Sequence, residues 1–288
     1  MGIRKGYAGL LKGDVMEMNA TSVANIIHRG GTILYTARCP EFLEVEYQDR
    51  AAEMCRIFGI DGLVVIGGDG SFRGAQKLSQ RGISVVGVPG TIDLDIVCSD
   101  YTIGFDTAVN VVVEAVSRLR DTSASHERCS VVEVMGRNCG EIALWSGIAT
   151  GADAIMIPED AESQSFDHLV RVIMENRARG KNHNIIIVAE GVGHAEELAK
   201  RIHEVTGIES RATILGHIQR GGRPTALDIK HASMMGYLAV EALYRGETNR
   251  VISVKDGKYV DQDIDEALAM TKEPSLDIWN ANLHISTY

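Results

Sequence analysis

Two short aliphatic runs, Gly62-Leu63-Val64-Val65-Ile66 and Ile83-Ser84-Val85-Val86-Gly87-Val88, constrain this chain more than any other feature. Neither alternates apolar with polar residues. Each therefore predicts a strand covered on both faces, the habit of parallel sheets flanked by helices. Each run breaks at once into a polar turn, Gly67-Gly68-Asp69-Gly70-Ser71 after the first and Pro89-Gly90-Thr91-Ile92-Asp93-Leu94-Asp95 after the second. Small residues and carboxylates thus gather at the carboxyl ends of two strands. In open α/β sheets that edge is where ligands bind.

Closely spaced glycines let backbone N–H groups approach a phosphate, and Ser71 is placed to begin a helix whose N-terminus favours an anion. Asp69, Asp93 and Asp95 would repel phosphate unless a divalent cation lay between, and magnesium prefers such hard oxygen ligands. The combination suggests phosphoryl transfer, with one carboxylate left to take a proton from an alcohol. The same residues also suit ordinary strand-to-helix turns with aspartates as caps. Spacing alone leaves both readings open.

The remaining strands and helices follow the same rhythm. Glu44 to Phe58, residues 71 to 80, Asp106 to Leu119, Glu141 to Ala149, His168 to Arg179, Glu196 to Val205 and a long stretch ending near Tyr244 read as helices. Cys129 to Met135, Asp153 to Ile157, Asn184 to Ala189, Arg211 to Gly216 and Arg250 to Val254 read as strands. A short helix over Ser22 to Ile27, a strand over Gly31 to Thr36 and a polar loop over Thr122 to Arg128 are also expected. The tail from Asp261 to Tyr288 is mixed.

With 288 residues the chain suits two α/β lobes, and no Pro- or Ser-rich linker marks a boundary between them. The net charge of −10 argues against a nucleic-acid surface, so any phosphate must be held by local arginines. No stretch approaches the roughly 18 uninterrupted apolar residues that a membrane span needs, and the expected location is the cytoplasm. The five cysteines, Cys39, Cys55, Cys98, Cys129 and Cys139, are scattered without metal-ligand spacing and read as reduced thiols.

The motifs, taken together, resemble the phosphofructokinase family, its bacterial ATP-dependent branch most of all. They are Gly6 to Leu10, Ile33 to Phe42, Gly67 to Ser71, Pro89 to Asp95, Ser125 to Arg128, Met135 to Arg137, Val188 to Gly191 and Leu215 to Gly222, in the family's order and across nearly the whole chain. The resemblance implies a fold of two doubly wound three-layer α/β/α lobes. Residues 1–104 and 224–272 would form the ATP-binding lobe, and 105–223 with 273–288 the fructose 6-phosphate lobe. It implies transfer of the ATP γ-phosphoryl to fructose 6-phosphate, giving fructose 1,6-bisphosphate, as in glycolysis.

By matched position, Asp93 would be the general base, Asp69 would hold Mg2+ with Asp95 in the same charged cluster, and Thr91 and Arg137 would stabilise the transferring group. Arg38, Cys39, Gly68, Asp69, Gly70 and Ser71 fall on the nucleotide side. Thr91, Ile92, Asp93, Met135, Gly136, Arg137, Glu190, His217, Ile218, Gln219 and Arg220 fall on the sugar-phosphate side. Arg128 and Arg211 match residues that reach a neighbouring subunit's sugar phosphate, which implies a homotetramer. Arg120, Asp153, Arg179 and Lys181 match the effector site, but Asp153 replaces a glutamate and Asn25 an aspartate, which puts regulation by ADP or phosphoenolpyruvate in question.

Pyrophosphate-using relatives typically carry aspartate and lysine where this chain has Gly70 and Gly90, so ATP is the expected donor. Leu94 stands where the family usually has asparagine. The family's opening strand and its glycine-rich loop of the form GGDxPGxN are not present before Met1, and the expectation is a truncated reading of a longer gene. A non-catalytic sugar-phosphate-binding remnant is the alternative of a different class.

Overall fold

In the computed structural model, residues 1–271 and 275–286 are described. The chain forms two compact units. The first comprises Met1–Thr91, Asp95–Gly104 and Arg223–Lys272, and the second Ile92–Leu94, Phe105–Gly222 and Glu273–Tyr288. Residues 272–274 and 287–288 lie outside the described ones, and with them the expected join at 272–273.

The first unit begins with a two-residue strand β1 (Gly2–Ile3), helix α1 (Gly6–Lys12) and strand β2 (Val15–Met16), which pairs antiparallel with β1. Helix α2 (Val45–Ile57), strand β3 (Gly62–Gly67), helix α3 (Asp69–Ser79) and strand β4 (Ser84–Pro89) come next. The second unit contributes α4 (Phe105–His126), β5 (Cys129–Val134), α5 (Glu141–Thr150), β6 (Ala154–Met156), α6 (Phe166–Ala178), β7 (Asn184–Ala189), α7 (Ala195–Thr206) and β8 (Ser210–Ile214). The chain then returns to the first unit with α8 (Ala226–Tyr244), β9 (Arg250–Lys255), β10 (Lys258–Asp263) and α9 (Ile264–Ala269). It closes with α10 (Asp277–Ile285) in the second.

Each unit is built on a four-stranded sheet, ordered β10-β9-β4-β3 in the first and β6-β7-β5-β8 in the second. The second sheet is wholly parallel. In the first, only the β9–β10 hairpin is antiparallel. The period of two sends alternate residues to opposite faces. Val85 and Val251 join a core with Phe72, Leu78 and Ala51, whereas Val86, Val88 and Ile252 join another with Met235 and Ala239 of α8. In β7 every residue is buried: Ile185 and Ile187 meet α4 and α5, and Ile186 and Val188 meet α6 and α7. Each such side chain contributes about 1.5–3 kcal/mol on burial, so a period-free aliphatic strand is stable only between two helical layers.

Three sequence expectations fail, two for a backbone reason and one through side-chain hydroxyls. Gly31 to Thr36 forms no strand: Gly31 and Tyr35 have left-handed backbones, and the Tyr35 N–H closes a turn on the Thr32 carbonyl at 3.3 Å. The expected helix over Ser22 to Ile27 is a single 3-10 turn over Ala20–Val23, capped by Asn19, and the left-handed backbone of Asn25, φ 56°, keeps that turn from extending. The polar residues 122–126 continue α4 instead of looping, because their hydroxyls find partners inside the helix or against it. Thr122 Oγ1 donates to the Arg118 carbonyl, Ser125 Oγ to the Thr122 carbonyl, and Ser123 shares a bond with Ser130 at 2.5 Å. The helix stops where Glu127 turns left-handed.

Candidate active site

Parallel pairing aligns the two turns of the first unit. Gly67 lies opposite Pro89 in the β3–β4 register, and the Gly90 N–H donates to the Gly67 carbonyl at 3.0 Å. Helix α3 begins at Asp69, two residues earlier than expected, with Gly68 as its N-cap. The Asp69 carboxylate therefore lies in the first turn, where the helix dipole favours it. A methyl group on Gly68 would come within 3.8 Å of Thr91, while one on Gly70 would meet nothing within 4 Å. Gly70 thus opens onto free space, and Gly90 is confined: a Cβ there would press to 2.9 Å from Ile66.

Asp69 Oδ2 accepts from Arg73 Nε at 2.7 Å, one helical turn on, and both side chains are about half exposed. Asp95 Oδ1 accepts from Thr91 Oγ1 at 3.4 Å. Asp69, Arg73 and Asp95 line one cavity of about 120 Å3, floored by Phe72, Ile96 and Cys98. Among the described residues no three His, Cys, Asp or Glu side chains form a ready-made metal cage. Two carboxylates facing one cavity nevertheless fit Mg2+, which commonly takes one or two carboxylates and completes its octahedron with water and substrate phosphates. Arg38 is exposed on the loop before the Pro40–Leu43 turn, and Cys39 is the N-cap of that turn, its thiol pKa raised by burial.

The segment Ile92–Leu94 belongs to the second unit although its neighbours on both sides belong to the first. Ile92 and Leu94 explain why: both are buried in the core formed with Phe105, Val109 and Ile142. Asp93, between them, remains partly exposed. Leu94 adopts φ 55°, a left-handed conformation that a non-glycine residue takes at a cost of about 1–2 kcal/mol. Its burial offsets that strain.

The second unit carries its candidate residues on three adjacent strands. Val134 pairs with Ala189, and Glu133 with Ile214, so the turns after β5, β7 and β8 leave one edge side by side. Backbone bonds extend the ladder past the strands: the Glu190 N–H reaches the Val134 carbonyl at 2.8 Å, Leu215 N–H reaches Glu133 at 3.0 Å, and Gly191 N–H reaches Gly136 at 3.2 Å. Gly136, at φ 131°, is irreplaceable on two counts, since a Cβ would also meet the Cys139 carbonyl at 2.3 Å. Arg137, Glu190, His217, Ile218 and Arg220 are all exposed at this edge, and Met135 partly so.

Gln219 departs from expectation. It is 1% exposed, beneath the edge and not on it, with its amide bonded to the Met135 N–H and the Gly216 carbonyl. The effector set departs too. Asp153 is buried: Oδ1 accepts from Asn176 Nδ2 at 2.8 Å and Lys181 Nζ at 2.5 Å, and Oδ2 from the Ile185 N–H at 2.8 Å. Arg120 donates to the Thr150 and Gly151 carbonyls at the end of α5. Both side chains are engaged in holding the fold, and Arg179 is exposed.

Arg128 and Arg211 converge on Glu209. Arg128 Nε and Arg211 Nη2 each lie 3.0 Å from Glu209 Oε1, and the two guanidinia, Arg128 foremost, lower the carboxyl pKa. These residues flank the amino ends of β5 and β8, opposite the Arg137 edge. Six residues of β5 separate the two edges by about 20 Å.

Three residues escape a reading of the sequence. Arg73 is legible in principle, four residues after Asp69 on a helix. Glu209, two residues before Arg211, carries a weaker signal. Glu159 has none: its Oε1 accepts from the Gly140 N–H at 2.7 Å across 19 residues, pinning the far end of the Arg137 turn.

The family described as Phosphofructokinase matches residues 1–243. The ATP-dependent 6-phosphofructokinase of Clostridium acetobutylicum is 60% identical over 279 residues, which are 97% of this chain and 87% of that one. The protein of the same name from Clostridium botulinum is 57% identical over 280 residues, with the same shares covered. Among solved structures, Pichia pastoris phosphofructokinase in the T-state matches 99% of this chain with TM-score 0.88 and 38% identity; this chain spans 33% of its length. Pyrophosphate-dependent phosphofructokinase from Marinobacter aquaeolei, at 21% identity and TM-score 0.86 over 99% of this chain and 82% of its own, shares the fold.

Proposed function

The chain belongs to the phosphofructokinase family, and we propose that it transfers the γ-phosphoryl group of ATP to the 1-hydroxyl of fructose 6-phosphate. The observation that carries this reading is the pair of strand edges. One offers glycine backbone and carboxylates, and the other offers Arg137, Glu190, His217 and Arg220 on turns stitched together by backbone bonds. Phosphoryl transfer is mostly positioning and charge neutralisation, and these are the two kinds of group it requires.

In this reading Gly68 to Ser71, with Arg38 and Cys39, receive the nucleotide. Asp69, with Asp95, holds Mg2+, which when bound neutralises charge on the nucleotide phosphates. Fructose 6-phosphate lies against Met135 to Arg137, Glu190, His217, Ile218 and Arg220. Asp93 takes the proton from the sugar hydroxyl as its oxygen bonds to the γ-phosphorus, and the bond from that phosphorus to the β-γ bridging oxygen breaks to release ADP. Thr91 and Arg137 donate to the transferring group as its charge redistributes.

The Arg128–Arg211 pair is too far along β5 to serve the same chain's sugar edge. Its paired guanidinia suit the sugar phosphate of a neighbouring copy, and the family resemblance makes a homotetramer the assembly this reading adopts. No helix among the described residues is long and apolar enough to cross a membrane. The glycolytic substrates of this reading favour the cytoplasm as its location. Open space at Gly70 favours ATP over pyrophosphate as donor.

The test is fructose 1,6-bisphosphate formation by the purified chain with Mg2+, fructose 6-phosphate and either ATP or pyrophosphate. Turnover with ATP alone is expected. Turnover only with pyrophosphate would overturn the donor, and turnover with neither would overturn the kinase reading.

A further inference from the structure

We infer that Gln219 is a positioning residue that locks the turn bearing Arg137 to the turn bearing His217 and Arg220. Three observations carry this. Gln219 is 1% exposed while its neighbours His217, Ile218 and Arg220 are exposed, so within Gly216–Arg220 it points inward as they point out. Its Oε1 accepts from the Met135 N–H at 3.3 Å, and its Nε2 donates to the Gly216 carbonyl at 2.9 Å. Those two backbone groups lie just beyond the last inter-strand bonds of β5 and β8, where the ladder no longer supplies partners.

The Met135 N–H and the Gly216 C=O are half-buried groups on different turns, and they call for an acceptor and a donor delivered together. A carboxamide carries both on one end, a carboxylate carries only acceptors, and a thioether carries no donor. Gly216 is left-handed, φ 52°, and opens the 3-10 turn that carries Gln219. Without the bridge, the Leu215–Glu133 backbone bond is the last tie between the two turns, and Arg137 is held less firmly relative to His217 and Arg220. Small displacements of groups that must converge on one substrate weaken binding strongly.

The inference rests on reading this edge as the sugar-phosphate side. Gln219→Met keeps the length and removes both bonds, and Gln219→Glu keeps the acceptor for Met135 and removes the donor to Gly216. Two readouts apply: hydrogen exchange at the Met135 amide, followed by mass spectrometry of the peptide that contains it, and separate KM values for fructose 6-phosphate and ATP.

In Gln219→Met, exchange at Met135 speeds up about tenfold and KM for fructose 6-phosphate rises about tenfold, with KM for ATP unchanged. Gln219→Glu restores protection at Met135 and only part of the sugar-phosphate KM. Unchanged exchange in Gln219→Met overturns the bridge. The two KM values rising together, in step with a fall in Tm, overturn the positioning role. If Gln219→Met does not fold, Gln219→Glu decides alone: a raised KM for the sugar phosphate supports the inference and a wild-type KM sinks it. If the unaltered chain does not turn over fructose 6-phosphate, the functional reading has failed, and Met135 exchange in the two variants still decides whether the bridge exists.

Discussion

The two candidate edges are built from opposite chemistries on the same kind of scaffold. Both lie at the carboxyl ends of parallel strands. The edge of the first unit presents backbone, small residues and the carboxylates of Asp69 and Asp95, with Arg73 already paired to Asp69. The edge of the second presents Arg137, His217 and Arg220 on exposed turns. An edge rich in carboxylates binds phosphate only through a cation, whereas an edge rich in arginine binds it directly. The contrast teaches that a chain of net charge −10 need not be basic to take two phosphorylated substrates. Charge has only to be sorted between its strand ends.

The comparison breaks most deeply at Asp93, on the segment that leaves one unit for the other. Asp93→Asn is expected to lower kcat by about 10²–10⁴-fold while leaving both KM values near those of the parent, as loss of a general base would. Equal loss in kcat and in binding would remove Asp93 from the chemistry. Next in size is Arg137→Ala, which removes charge-assisted hydrogen bonds worth about 1.5–3 kcal/mol and should raise KM for fructose 6-phosphate about 10–100-fold with KM for ATP unchanged.

Gly70→Asp tests the other edge. A Cβ at this position meets nothing within 4 Å, and an acid in the first turn of α3 suits the helix, so Tm should hold. KM for ATP should rise about tenfold, because a further carboxylate faces the nucleotide phosphates without a cation to match it. KM for the sugar phosphate should not move; if it does, the two edges are not separate in function.

The smallest effect concerns Leu94. Leu94→Asn relieves left-handed strain of about 1–2 kcal/mol and forfeits about 1.5–3 kcal/mol of burial, leaving a net loss of about 1 kcal/mol in a urea titration. A gain in stability would show that strain outweighs packing at this position.

The aliphatic strands and the glycine-aspartate turns are legible because their physics is local: period-free hydrophobicity demands two covering layers, and small residues mark the turns. The β9–β10 hairpin carries a comparable signal just beyond the strand expected over Arg250 to Val254. Asp256-Gly257 stands there between Lys255 and Lys258, with both residues left-handed as a tight hairpin turn requires. Gly31 to Thr36 misleads because strand propensity does not supply a partner strand. The continuation of α4 through Ser123 misleads because the sequence does not show that Ser130, on the next strand, waits for its hydroxyl.

Sequence alone determined which residue types stand at each strand end, since motif order and spacing survive in the linear chain. It therefore specified the family resemblance and set carboxylates at the strand ends of one unit and arginines at those of the other. The side to which each of those residues faces was decided only in three dimensions. Gln219 and Asp153 read as ligand contacts in the sequence, and the structure buries both, because Met135 reaches Gln219 across 84 residues and Asn176 and Ile185 reach Asp153 across 23 and 32. The same holds for Arg128 and Arg211, 83 residues apart in number yet brought to one carboxylate by adjacent strands. A hydrogen-bond partner is a fact about distance through space, and the chain records only distance along itself.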